Sequence, residues 1–517
     1  MSNTKTIAKN TGWYGLENAI SVFVTMFTSI AVARTLGPTK MGYIIYVIWI
    51  AGVAGSLGSV GIPSTMRKYM AEFLGMGDRG TARYVYIQTF FLQMGMATIA
   101  TGSVIFWVLK DASADYRLAA LCVALSIWPS MVNSISAQAN IAAEKLSANL
   151  PASILSILVY LVAIGATVVF KWGVLGVGAS MLIMRVSDLL IRLIPTARRI
   201  LAWETTHVYP EGLKTRMMTF AWQSIITTVI SLIVWDRSEF FLLKHLCSDI
   251  RQVAFYSVAF SMANQLLMSA SIFGTAIGAT IFAQYGRDKR RIPEITATAF
   301  RYLALSSIPL HIVASALAAP LLLVLYGAQY RGALAVATLA PILCMPKAFL
   351  EPARNLLQSA ERQSVVIWAT VLAGIIDIGV AWLLIPGHGA VGACIGSGAA
   401  QFVAITMLWA ADIYLYKVKL PWRLIAKVAS ISILASLAAH FVGIWMTPLW
   451  ALVCGACVAL VVLVVLFYFL RVLEPQDLDR FTLLSSMLPK PIAKPANAVL
   501  SWMVRPAIGG VISPAAG

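Results

Sequence analysis

The chain has 517 residues, 60% of them hydrophobic and only 12% charged. A soluble domain carries about 25% charged residues, so this composition excludes an ordinary globular protein and points to a polytopic membrane protein. The formal net charge of +18 falls in alternate loops, which orients a membrane protein and argues against a nucleic-acid surface.

Residues Met1 to Asn10 are polar, and no small-residue cleavage site follows a short apolar core, so the first apolar segment is expected to stay as a helix. Spans of about 20 apolar residues are then separated by charged or Gly/Pro-rich breaks. They fall at 12–33, 42–62, 84–109, 118–139, 152–170 and 173–194, and, after a basic loop, at 217–243, 255–283, 299–325, 333–357, 365–385 and 390–414. Two more follow at 425–445 and 449–470. The expected fold is all-α: about fourteen transmembrane helices, forming two parallel six-helix repeats plus a C-terminal helix pair. The corresponding divisions are 1–200, 201–420, 421–471 and a proline-rich tail at 472–517, in which 477–488 could form a surface helix.

One set of loops carries Arg67, Lys68, Arg79 and Arg83, then Arg198, Arg199, Lys214 and Arg216, then Arg287 and Lys289 to Arg291, then Lys417, Lys419 and Arg423. The intervening loops are short, with few net positive charges. The positive-inside rule therefore places the first set and both termini in the cytoplasm. Glycines 52, 55, 58 and 61 precede Pro63 in the second span; small residues at such spacing let helices approach closely.

An internal repeat supports the two halves. Gln138 to Lys145 (QANIAAEK) corresponds to Asn355 to Arg362 (NLLQSAER), and the same offset sets Pro129 on Pro346. Gly173-x-x-Gly176 corresponds likewise to Gly389-x-x-Gly392. Parallel repeats in transporters put a substrate site at the interface between halves.

Ionisable residues inside the spans are the candidate functional groups, because each costs about 2.5–3.5 kcal/mol at the centre of a lipid-facing helix. Arg185, Asp188 and Arg192 are spaced i, i+3, i+7, and Lys347, Glu351 and Arg354 i, i+4, i+7; each set is expected on one helix face. These six are the candidate substrate-cavity residues. Asp236, Arg237 and Glu239, with Glu17 and Asp377, are candidates for a gate or for ion coupling. Ladders of alternating charge could equally hold helices together by local pairing. Catalysis finds no support: there is no phosphate-cradling loop and no His-rich metal spacing, and neither metal nor cofactor is expected. Cys454-x-x-Cys457 has no companion ligands.

The loop Ala33-Arg34-Thr35-Leu36-Gly37-Pro38-Thr39-Lys40-Met41-Gly42 resembles the A-R-x-L-G-P-x-x-x-G loop of the polysaccharide transporter (O-antigen flippase-like) family. Asp236-Arg237 followed by Ala254-Phe255-Tyr256-Ser257-Val258-Ala259 is similar to its D-R … G-x-Y-S-x-A pattern, and the Gly173 and Gly389 motifs fit its G-x-x-G. The resemblance covers about the first 415 residues. It implies an alternating-access flippase, in the bacterial inner membrane, for a polyprenyl-diphosphate-linked oligosaccharide such as an O-antigen or lipopolysaccharide precursor. It also implies the lipid-linked oligosaccharide and membrane lipid as partners, with H+ or Na+ and polysaccharide assembly proteins as further ones, and no nucleic acid. A cation-coupled multidrug exporter of the same superfamily is the nearest alternative, and a membrane glycan polymerase or ligase the next. The near balance of the intramembrane charges departs from a strongly cationic diphosphate cavity.

Overall fold

A computed structural model describes residues 2–111, 114–204, 210–235, 238–360, 362–474 and 477. Among them there are helices and no strands. The helices are α1 (Ser2–Gly58), α2 (Ile62–Gly75), α3 (Arg79–Asp111), α4 (Arg117–Leu125), α5 (Ile127–Ala142), α6 (Leu150–Val169), α7 (Gly173–Leu201), α8 (Leu213–Trp235) and α9 (Glu239–Leu246). There follow α10 (Arg251–Arg287), α11 (Ile292–Tyr326), α12 (Leu334–Cys344), α13 (Leu350–Ser359), α14 (Gln363–His388), α15 (Ala390–Tyr416), α16 (Trp422–Gly443) and α17 (Pro448–Phe469). Eleven stretches among the described residues are long and apolar enough to cross a membrane. The chain is a multi-pass membrane protein.

Glycine and proline set the corners. In α1 the helix turns at Gly37, whose φ of 72° suits a residue without Cβ, and Pro38 then sits where a new helical arm can use its fixed φ. Gly61, with φ 69°, precedes α2 in the same way. Two expected spans are interrupted. The 118–139 span divides into α4 and α5 at Ser126; the 217–243 span covers α8 and α9 and includes residues 236–237, which lie outside the described residues. The 333–357 span divides into α12, a 3-10 stretch at Met345–Phe349, and α13. Pro346 there has no N–H to give the helical ladder.

Two compact units form, residues 1–257 with 385–390, and 258–384 with 391–517. In the first, α2, α3, α5 and α7 bury Met66, Tyr69, Met70, Val85, Ile135 and Ile200 in one cluster. Of the four glycines in the second span, Gly58 would place a Cβ 2.8 Å from Ala100 and Gly61 one 2.9 Å from the Ala221 carbonyl, whereas Gly52 has open space. Close packing is the role of Gly58 and Gly61.

In the second unit α16 and α17 pack on α11 through Ala435, Ala439 and Ala459, with Val313 and Leu317 against them. Beyond α17 the chain is pinned back to α11. Asp477 accepts from the Arg301 guanidinium (2.8 Å), the Tyr302 hydroxyl (2.8 Å) and the Glu474 N–H (2.8 Å), while Glu474 pairs with Arg301 at 2.9 Å.

The repeat is visible in local geometry within each unit. At the end of α5, Ala143 N–H bonds to the Ala139 carbonyl and Lys145 N–H to Asn140; at the end of α13, Ala360 bonds to Leu356 and Arg362 to Leu357. Gly173 and Gly389, both at positive φ, launch α7 and α15.

Candidate functional site

The polar residues of α7 form a stripe. Arg185, Asp188, Arg192, Thr196 and Arg199 recur at three- and four-residue steps, so they share one face, and α5 and α6 pack beside it. At the basic-loop end of the stripe, Asn140 joins three side chains. The Asn140 side-chain carbonyl accepts from Arg199 (2.7 Å) and Thr196 (3.2 Å), while its amide donates to Asn149 (2.7 Å). One turn further along α7, Arg192 is 8% exposed and donates to Asp188 at 2.7 Å and to Ser153 at 3.0 Å. The second oxygen of Asp188 accepts from Asn133 at 2.6 Å. A buried pair of opposite charges persists only when its remaining hydrogen-bonding capacity is also met, and Asn133 and Ser153 meet part of it here.

Arg185 differs. It lies one turn beyond Asp188 and lines a cavity of about 430 Å³ between α1, α6 and α7. Thr25, Ser153, Ser156 and Tyr160 supply hydroxyls to the wall, and Ile48, Met181 and Met184 apolar surface. Its Nε has no hydrogen-bond partner, which is equally true of the Nε of Arg192 and Arg199. Among the described residues that line it, Asp188 is ion-paired with Arg192, which leaves Arg185 as the cation of the wall. Such a wall can hold an anionic group at the guanidinium and hydroxyl-rich groups alongside.

The second set of cavity candidates is arranged otherwise than the sequence spacing implied. Glu351 and Arg354 form an ion pair of 2.7 Å on α13. Lys347, however, lies in the 3-10 stretch before α13, so the three do not share one α-helical face. The change in helix type at Pro346 rotates Lys347 relative to the other two. Glu351 is seated by α10, where the position a Cβ would take at Gly274 runs into its side chain. Asn355, one turn on, donates to the Gly274 carbonyl at 3.3 Å and lies against Gly278. Gly274-x-x-x-Gly278 is thus a close helix crossing that the sequence reading missed.

Of the gate and ion candidates, Glu239 is 3% exposed in the first turn of α9, where a carboxylate meets the unpaired N–H groups of a helix start. Asp377 is 2% exposed on α14, beside the contact its backbone makes with Gly396 of α15. Asp236, Arg237 and the Glu17 side chain lie outside the described residues. Asn133, Ser153 and Tyr160 were also missed by the sequence reading. They sit on neighbouring helices, and only their isolated polarity in apolar spans hints at them.

Comparison with solved structures agrees with this architecture. A lipid II flippase MurJ in an inward closed conformation aligns with a TM-score of 0.70 at 12% identity, over 88% of this chain and 98% of that one. An inward-facing multidrug resistance MATE family transporter of the MOP superfamily gives 0.63 at 15%, over 76% and 94%. A MOP superfamily transporter from Pyrococcus furiosus gives 0.53 at 15%, over 80% and 96%. At these identities the likeness is one of fold. No curated protein matches the sequence. The model of the family described as "Polysaccharide biosynthesis protein" matches residues 7–282, more than half of the chain, and the chain belongs to that family.

Proposed function

We propose that this protein is a flippase that carries a polyprenyl-diphosphate-linked oligosaccharide across the bacterial inner membrane by alternating access, with both termini in the cytoplasm. The observation that carries the reading is the α1–α6–α7 cavity. It combines the guanidinium of Arg185 with hydroxyls of Thr25, Ser153, Ser156 and Tyr160. A phosphate-bearing glycan offers charge for the first and hydroxyl partners for the second. Membership of a polysaccharide biosynthesis family and a fold shared with a lipid II flippase support the same reading. Arg185 is the substrate-facing cation, and Asp188 with Arg192 keeps α7 in register against α5 and α6. Lys347, Glu351 and Arg354 are proposed as the corresponding group of the second half. Asp236, Arg237, Glu239, Glu17 and Asp377 are proposed to serve gating or ion coupling.

The test is genetic and chemical. A strain lacking the gene should accumulate lipid-linked oligosaccharide in the inner leaflet, and the intact gene should relieve it. Arg185→Gln, inserted at native levels, should fall short by about tenfold or more, since charge-assisted contacts to phosphate are among the stronger ones. Full relief by Arg185→Gln would overturn the role of the cavity. Unchanged glycans with altered drug sensitivity in the deletion strain would replace the flippase by a drug exporter.

A further inference from the structure

Asp412 of α15 stands outside every site described above. It is 0% exposed, and neither carboxylate oxygen has a hydrogen-bond partner. A carboxylate stripped of water and partners is among the most costly groups a protein can bury, and it persists only when its charge is neutralised. Its position adds to the cost. Asp412 lies in the last turns of α15, which ends at Tyr416, where the helix dipole is negative and the final carbonyls lack intrahelical donors.

A second polar group without a partner lies at the same level. The Trp409 ring packs on Phe300 of α11 with centroids 4.7 Å apart, and its indole N–H donates to the Phe349 carbonyl at 3.1 Å. That contact fixes the register of α11, near its beginning, against α15, near its end. One turn from Phe300 toward the start of α11 is Thr296, and about one turn from Trp409 toward the end of α15 is Asp412. Thr296 is also 0% exposed, and its hydroxyl has no hydrogen-bond partner. In a helix such a hydroxyl commonly turns back to the preceding carbonyl turn.

The charged groups of the neighbouring elements are committed elsewhere. Arg301 and Tyr302 of α11 hold Asp477, and Arg301 also pairs with Glu474. Arg354 of α13 holds Glu351. Lys417 lies over the Tyr414 ring. Glu294, Lys419, Arg423 and Lys427 are exposed. None of these, nor Lys347 of the 3-10 stretch, bonds to the Asp412 carboxylate.

We propose that Asp412, with the Thr296 hydroxyl, binds a single monovalent cation, a proton or Na+. The donor set is all oxygen and carries one negative charge, which one monovalent cation cancels. A divalent ion would leave a buried positive charge, and no group of three acidic, His or Cys ligands occurs among the described residues. The proposal does not depend on what the protein transports.

The full-length protein in detergent supplies the test. A hydrophobic carbodiimide, which attacks carboxyl groups in apolar surroundings, is applied, and the peptide containing Asp412 is followed by mass spectrometry. If the cation is a proton, labelling falls as pH is raised from about 5 to about 9 with choline as the only other cation. If it is Na+, labelling at constant pH falls as Na+ replaces choline. Thermal unfolding should follow the same variable, because a ligand bound only by the folded state raises the midpoint. Asp412→Asn should abolish that dependence, and Thr296→Ala should shift the half-saturating cation concentration severalfold upward. No labelling of Asp412, labelling indifferent to both cations, or unfolding of Asp412→Asn that tracks the cation as the native chain does, would overturn the site.

Discussion

Asp188 shows what a buried charge in this protein depends on. It answers Arg192 and accepts from Asn133, so Asp188→Ala leaves a guanidinium that is 8% exposed without its carboxylate. Breaking a buried pair from one side costs about 3–5 kcal/mol. Thermal unfolding in detergent should show the loss, and Arg192→Met in the same chain should restore part of it. Asp477 behaves differently, because it lies beyond α17 and outside the apolar spans. Burial raises its pKa, but hydrogen bonds from Arg301, the Glu474 N–H and Tyr302, with the charge of Arg301, outweigh this and hold it below the ordinary carboxylate value. A depressed carboxylate stabilises the fold fully above its unfolded pKa, about 3.9, and the contribution disappears as pH falls through the lower folded value. Limited proteolysis should release the C-terminal segment only in acid, and Asp477→Asn should remove that pH dependence. The stripe on α7 was legible from the three- and four-residue spacing of its charges, since such spacing determines a helix face by itself. Asp412 was not. Near the end of a span its position does not tell an interfacial carboxylate from a buried one, and its burial comes from the fold.

At the scale of elements, the contacts that place the candidate groups are made by residues with no chemistry of their own. Gly274 and Gly278 admit Glu351 and Asn355 to the surface of α10. Gly274→Val should push α13 away, lower the thermal midpoint and reduce transport together, whereas Glu351→Gln, similar in shape, should change transport more than stability. Gly61 is a second such point. Its positive φ costs an L-residue roughly 1–2 kcal/mol, and an added Cβ would also press on Ala221 and Ser224. Gly61→Ala should therefore unfold at a temperature several degrees below the native chain. The glycine run before Pro63 was apparent in the sequence, although spacing did not distinguish Gly61, which is packed, from Gly52, which is open. The interruption at Met345–Phe349 was harder to foresee. Proline is tolerated in membrane helices when neighbours re-satisfy the backbone, so Pro346 alone did not announce a change of helix type.

For the whole molecule, composition and hydropathy sufficed to specify a helical, multi-pass protein. QANIAAEK and NLLQSAER resemble one another because both encode the same helix ending, seen at Lys145 and Arg362. The basic loops predict sidedness. A single cysteine replacing Arg290 should react with an impermeant thiol reagent only from the cytoplasmic side, and one replacing His388 only from the outside, in an otherwise cysteine-free chain. The tie between Arg301 and Asp477 has a consequence in time. Its two residues are separated by 176 positions, which corresponds to roughly 10–35 s of synthesis. Until Asp477 has been made, the Arg301 guanidinium lacks that carboxylate. Closing the tie therefore registers that synthesis has passed Asp477. Nascent chains stopped short of Asp477 keep Arg301 without that carboxylate, and they are the ones a quality-control protease has a physical basis to recognise.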